Sequence, residues 1–236
     1  TYVIFTSDHG ELLGDHYMYQ KGRPYEGASH IPFMIMGPGI PDSQIIESPV
    51  IWEDIMPTIL DLADLPIPSS VDGRSMKTLL SHGKDPEWRS YMHGETVHTF
   101  MGCAGTKPAS GQINLFYEEG SHYLTDGKTK YIWHITSGTE QLFDLTRDWK
   151  ELCDLSADPD HAEELKLWRS RMVRQLAGRE EGFCDGNSLI PGREPEFVSS
   201  SIEQLKQKRL AEGFKIAYSR PSPRECDLSD IIRLLS

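Results

Sequence analysis

Basic side chains are in deficit: in 236 residues, 24 Lys and Arg stand against 36 Asp and Glu, a formal net charge of −12. That balance excludes a nucleic-acid partner, whose phosphates require a basic face. Long apolar runs are lacking too. The longest, residues 31–36, is already broken by Pro32, whereas a membrane helix needs about twenty apolar residues, so no membrane partner is expected. No charged-then-apolar leader opens the chain, and its cellular location is not legible. Cysteine is sparse: Cys103, Cys153, Cys184 and Cys226 stand far apart, with no C-x-x-C pair and no Cys/His spacing of a zinc site. Two disulfides or four buried thiols remain open, buried thiols being the expected state. Internal repeats and low-complexity segments are also missing.

What is present suits a packed core, with 38% hydrophobic and 25% charged residues. Tyr2-Val-Ile-Phe-Thr6 is a β-branched and aromatic run of the kind buried in a parallel sheet, and residues 31–36 form a second such run, ended by Gly37-Pro38-Gly39. Ile55, Met56, Ile59, Leu60 and Ala63 recur at helical spacing, with Pro57 tolerable only in a first turn. Strand, loop, strand, helix is the grammar of an α/β fold. After the loop 65–73 the composition shifts to strands, expected at 90–96, 113–118, 121–125, 130–135 and 140–145. Asp126-Gly127 marks a hairpin between two of them. A helix is expected over 159–177, its buried face made of Leu165, Trp168, Met172, Val173 and Leu176. Trp52, Trp133 and Trp168 read as core. Three units follow: 1–85 as α/β core, 86–178 as a small antiparallel sheet with a packed helix, and 179–236 as a wrapping tail with a short helix near 202–210.

Chemistry concentrates in residues 6–22. Asp8 and His9 come directly after the first strand, the edge at which open α/β sheets bind ligands. A carboxylate beside an imidazole offers an oxygen and a nitrogen to one divalent cation or to a reacting group. An Asp-His-Gly turn, with Asp8 bonded only to backbone amides, is the plainer alternative.

The longer pattern resembles the sulfatase family within the alkaline-phosphatase superfamily. That family's second metal-binding segment reads strand, S-D-H-G-E, G-D/E-H and then a lysine. The matching residues are Ser7-Asp8-His9-Gly10-Glu11, Gly14-Asp15-His16 and Lys21, followed by Tyr25-Glu26 and the run from His30. The likeness continues through 54–63 and Val71-Asp-Gly-Arg-Ser75, and more loosely to about residue 178. It implies the C-terminal part of an alkaline-phosphatase-like mixed sheet, plus a small antiparallel subdomain. It further implies Asp8 and His9 as ligands of one divalent cation, usually Ca2+, and Lys21 as the lysine that contacts the sulfate group and the departing ester oxygen. His16 is open between packing and lining the pocket. His93-Gly-Glu95 sits where the smaller domain could lean over the site but reads first as an ordinary strand edge, and His98, His122, His134 and His161 carry no spacing signal.

The family's nucleophile, a formylglycine made from Cys or Ser in C/S-x-P-S-R, has no counterpart here; Cys103-Ala-Gly-Thr-Lys107 lacks both the proline and the arginine. The family's N-terminal aspartate pair is missing as well, and Asp8 with His9 cannot fill the six or more oxygen positions that calcium takes. The sequence therefore reads as the C-terminal portion of a sulfatase acting on a small-molecule or carbohydrate sulfate ester. It would be inactive alone and completed by an N-terminal portion that carries the formylglycine. A phosphodiesterase or phosphonate-ester hydrolase of the same superfamily, and a non-catalytic sulfatase-like binding module, are the other readings.

Overall fold

The computed structural model describes residues 1–96, 120–179 and 181–192. The expected strand at 113–118, the helix near 202–210, His98, Cys103 and Cys226 lie outside the described residues. Among the described residues, two sheets and four α-helices make a mixed α/β fold. Strand β1 (Val3–Thr6) pairs with β2 (Phe33–Met36) in antiparallel register, Ile4 opposite Ile35 and Phe5 opposite Met34. This corrects the expectation of a parallel strand buried on both faces. Helix α1 (Glu26–Ser29), which lies between them, is a single turn, far too short for the crossover that parallel pairing requires. The chain instead folds back on itself.

Only one face of this ribbon is covered among the described residues. Phe33 and Ile35 pack on Met76, Leu79 and Leu80, the last two from helix α3 (Lys77–His82). On the other face Val3, Phe5, Met34 and Met36 are 52, 58, 59 and 65% exposed. Helix α2 (Ile55–Leu62) behaves alike. Its third residue, Pro57, is buried in the first turn together with Thr58, whereas Met56 and Ile59 of the apolar stripe are exposed. Trp52, expected in the core, is exposed as well, donating its indole N–H to Ser7 O at 2.9 Å.

Four described strands form an antiparallel sheet in sequence order: β3 (Met92–Thr96), β4 (Ser121–Thr125), β5 (Thr129–His134) and β6 (Glu140–Asp144). The β4–β5 turn is the expected hairpin. The Asp126 carboxylate accepts the amides of Lys128 and Thr129 at 2.9 and 2.8 Å, and Gly127 takes φ +85°. Helix α4 (Ala162–Leu176), led by a 3₁₀ turn at Pro159–His161, buries the five residues its periodicity marks. Four of them, Leu165, Trp168, Met172 and Leu176, meet Leu124, Tyr131, Trp133, Ile135 and Leu142 in one core, which Phe183 joins. Strand β5 is buried on both faces: Tyr131 and Trp133 enter that core, while Lys130 points the other way, toward residues 24–29. Among the described residues no helix is long and apolar enough to cross a membrane. Of the cysteines, Cys153 is an exposed free thiol and Cys184 a half-buried one, so the expectation of buried thiols does not hold at Cys153.

Candidate active site

Residues 7–22 leave β1, travel outward and return. Ser7 Oγ donates to His9 O at 3.0 Å, and Gly10 N donates to Ala28 O at 2.9 Å, tying the loop to α1. Gly10 is required there, because a Cβ would collide with the carbonyl oxygen of Gly27. Backbone bonds Leu12 N to Gln20 O, 3.0 Å, and Gly14 N to Met18 O, 2.8 Å, close the excursion, with Leu12 buried beneath it. Four non-glycine residues of this loop, Leu13, His16, Tyr17 and Gln20, have φ between 50° and 70°. Left-handed backbone at such residues costs of order 1 kcal/mol each and concentrates at functional sites.

The returning arm delivers Lys21 to the loop's start. Lys21 Nζ donates to His9 Nε2 at 2.7 Å, and Asp8 Oδ2 lies 3.5 Å from the same nitrogen. His9 Nδ1 is 2.7 Å from Gly10 O, a carbonyl that can only accept, so Nδ1 carries the hydrogen. Nε2 is thereby left as a lone pair facing both Asp8 and Lys21, the form in which an imidazole ligates a metal. Asp8 Oδ1 accepts the His9 amide at 3.0 Å. Asp8 is exposed and His9 about one-third exposed, so the group opens to solvent. The structure thus brings Asp8, His9 and Lys21 together.

His16 stacks on Tyr25 with ring centroids 3.9 Å apart and an interplanar angle of 11°, and its Nε2 lies 3.0 Å from Lys150 O. It also lines a cavity of about 600 Å³ with Tyr17, Phe143, Lys150 and Leu152, a space whose lining does not include Asp8, His9 or Lys21.

Sequence reasoning missed the anchor behind the loop. Lys130, with no exposed surface, donates to Pro24 O at 2.7 Å and Ser29 Oγ at 3.1 Å, and its Nζ lies 2.6 Å from Glu26 Oε1. Glu151 Oε1 sits 3.2 Å away, a charge contact without hydrogen-bond geometry, while Glu151 Oε2 accepts the Glu26 amide at 2.6 Å. Burial works against ionisation of Glu26, but His30 and Lys130 override it and hold the carboxyl down at about 2. For Glu151 burial prevails, and its pKa is raised. A second buried pair, Asp54 with Arg89, was equally invisible. Asp54 accepts both guanidinium ends of Arg89 together with the amides of Ile51 and Arg74, clamping the 71–75 loop to the start of α2.

Comparison with known proteins decides the family. Residues 1–65 match the model of the family Sulfatase. An arylsulfatase of Clostridium perfringens is 37% identical over 196 residues, covering 81% of this chain and 37% of that protein. The chain is a member of the sulfatase family. Arylsulfatase K of Xenopus laevis is 34% identical over 168 residues, 70% of this chain and 30% of that one. Among solved structures, a phosphonate monoester hydrolase from Silicibacter pomeroyi superposes with TM-score 0.62 and 29% identity, covering 75% of this chain and 34% of that chain. The chain therefore spans about a third of the length of the sulfatases it resembles. The pattern C/S-x-P-S-R does not occur in its sequence.

Proposed function

We propose that this chain is the C-terminal part of a sulfatase that hydrolyses small-molecule or carbohydrate sulfate esters. The observation that carries the reading is the meeting of Asp8, His9 and Lys21 at the end of β1. In this reading residues 1–85 belong to the α/β core, 86–178 form the small-sheet subdomain and 179–236 the tail. A formylglycine nucleophile comes from a segment outside these 236 residues, and the chain by itself has no turnover. The apolar face of Val3, Phe5, Met34 and Met36, with Met56 and Ile59 of α2, supports an additional layer of the same protein docking there.

Asp8 Oδ2 and His9 Nε2 would hold the divalent cation, taken as calcium. They supply one oxygen and one nitrogen, so the remaining oxygens of its shell must come from the other segment. When bound, the cation neutralises sulfate oxygens. Lys21 carries its charge to the same point: a fixed ammonium offsets negative charge on the departing ester oxygen and donates a hydrogen bond to it. The hydrogen on His9 Nδ1 is committed to Gly10 O, which leaves Nε2 as the nitrogen aimed at the cation.

Phosphonate-ester hydrolysis is the second reading, supported by the phosphonate monoester hydrolase at 29% identity. The test is the preference of the intact enzyme, as kcat/KM, between an aryl sulfate and a phenyl phosphonate ester with the same leaving group. The sulfatase reading expects the sulfate to be preferred by at least about tenfold, roughly 1.4 kcal/mol of transition-state discrimination. Preference for the phosphonate reverses the assignment.

A further inference from the structure

We propose that His93, Glu95 and His122 form a second metal site, selective for a zinc-class transition-metal dication and separate from Asp8 and His9. The strand register builds it. Glu95 lies directly opposite His122 across β3 and β4, and the two-residue period of β3 puts His93 on the same face as Glu95. That is the α4 face of the sheet, opposite to Lys130, so neither Lys130 nor the 7–22 loop contributes to the site.

The spacing suits one small ion. His93 Nε2 and His122 Nδ1 are 3.0 Å apart, His122 Nδ1 and Glu95 Oε2 3.7 Å, and the three ligand atoms all fall within 4.8 Å of one another. A tetrahedral zinc with bonds of about 2.0–2.1 Å places its ligand atoms about 3.3 Å apart, between those two values. Two imidazoles and one carboxylate are a nitrogen-rich set that favours zinc-class ions over calcium.

The imidazoles have little else to do. In a neutral pair facing nitrogen to nitrogen, only one hydrogen can lie between them; a cation accepts both lone pairs instead. His122 is 2% exposed, and its other nitrogen, Nε2, is buried without a hydrogen-bond partner among the described residues. All of its polar engagement therefore faces His93 and Glu95. Its ring is fixed by stacking on Trp133, 6.0 Å between centroids at 18°, and by the edge contact with Phe183 at 5.2 Å. Arg179 orients the carboxylate, its Nη1 donating to Glu95 Oε2 at 2.9 Å while its other nitrogens pair with Glu181. Two carboxylates and one guanidinium leave a net negative charge facing the ion. Glu95, on the exposed edge, leaves room for entry and for a water as fourth ligand.

The test is cobalt as a spectroscopic probe, on tag-free, chelator-treated protein. One equivalent of Co2+ should give the intense visible bands of four-coordinate cobalt, bleached by one equivalent of Zn2+. His93→Gln and Glu95→Gln should each weaken zinc by more than the about 10–100-fold typical of losing an outer-shell partner. Asp8→Asn with His9→Gln should leave the bands intact. His93 is half-buried at the sheet edge, so His93→Gln keeps the fold, checked by metal-free circular dichroism, where His122→Phe changes the core. Absence of four-coordinate bands, their persistence in His93→Gln, or their loss in the Asp8/His9 variant would each overturn the assignment.

Discussion

Replacing Lys130 with methionine removes the charge that holds the 24–29 segment on the small sheet while keeping the volume of the side chain. The ammonium meets Glu26 at 2.6 Å, Glu151 at 3.2 Å, Pro24 O at 2.7 Å and Ser29 Oγ at 3.1 Å, without solvent exposure. Lys130→Met strands two carboxylates, of which Glu151 is 1% exposed and Glu26 17%. Removing one partner of a buried ion pair costs about 3–5 kcal/mol, mostly because the remaining charge loses its compensation. For a domain of this size each kcal/mol moves Tm by about 2–4 °C, so a drop of about 10 °C is expected. The same reasoning predicts that adding Glu151→Gln restores part of the loss, since it removes the more buried of the stranded charges. Differential scanning calorimetry on the wild type, both single variants and the double variant gives the coupling directly. A Lys130→Met protein within about 2 °C of wild type, or a double variant no more stable than Lys130→Met, would refute the account of this anchor.

Arg89→Met leaves the fully buried Asp54 carboxylate with only its two backbone donors, and should destabilise by about 3–5 kcal/mol in urea titration, without changing metal binding at His93 and His122. Glu26 has its folded pKa depressed to about 2 from about 4.5, so its contribution is present above pH 4.5 and lost as pH falls from 4.5 toward 2. Tm measured over that window should fall more steeply in wild type than in Glu26→Gln. Glu151, raised instead, has the opposite sign, and a Glu151→Gln background should steepen the Glu26 slope further. His30, whose pKa is raised by its bond to Glu26, adds stability below its unfolded value that is lost as pH rises through its folded one, so His30→Gln should flatten the neutral limb.

Much of this architecture is legible from local pattern. Helix α4 buries the five positions its period marks, because an amphipathic stripe against a sheet is decided within one helix. The Asp126-Gly127 hairpin follows from turn chemistry, and the D-H-G…K spacing marks the loop that returns Lys21 to His9. Other features depend on partners distant in sequence. Tyr2-Val-Ile-Phe-Thr6 is apolar on both faces, and pattern alone cannot say which face of its ribbon is covered; Leu79 and Leu80, which pack on Phe33 and Ile35 of the partner strand, arrive more than forty positions after them. Trp52 and the Met56–Ile59 side of α2 misled for the same reason, being apolar yet exposed. A lysine in a β-strand reads as a surface residue, and Lys130 becomes a buried anchor only because Glu26 and Glu151 approach from elements 104 and 21 positions away. His122 has no neighbour in sequence that suggests a ligand. Its link to Glu95 exists only in the β3–β4 register.

In the proposed reaction Lys21 works with Asp8 and His9 on a sulfate ester, and kcat/KM of the intact enzyme on an aryl sulfate tests this most directly. Loss of a preorganised cation facing a developing anion typically costs about 3–4 kcal/mol, or about 10²–10³ in rate. Lys21→Ala and Lys21→Met should therefore both fall by that factor with Tm unchanged, since Lys21 is exposed and bonds only His9 among the described contacts. Lys21→Arg should recover only part, because its planar fork aims differently. Near-normal turnover in Lys21→Ala would show that this ammonium is a surface charge and contradict the site.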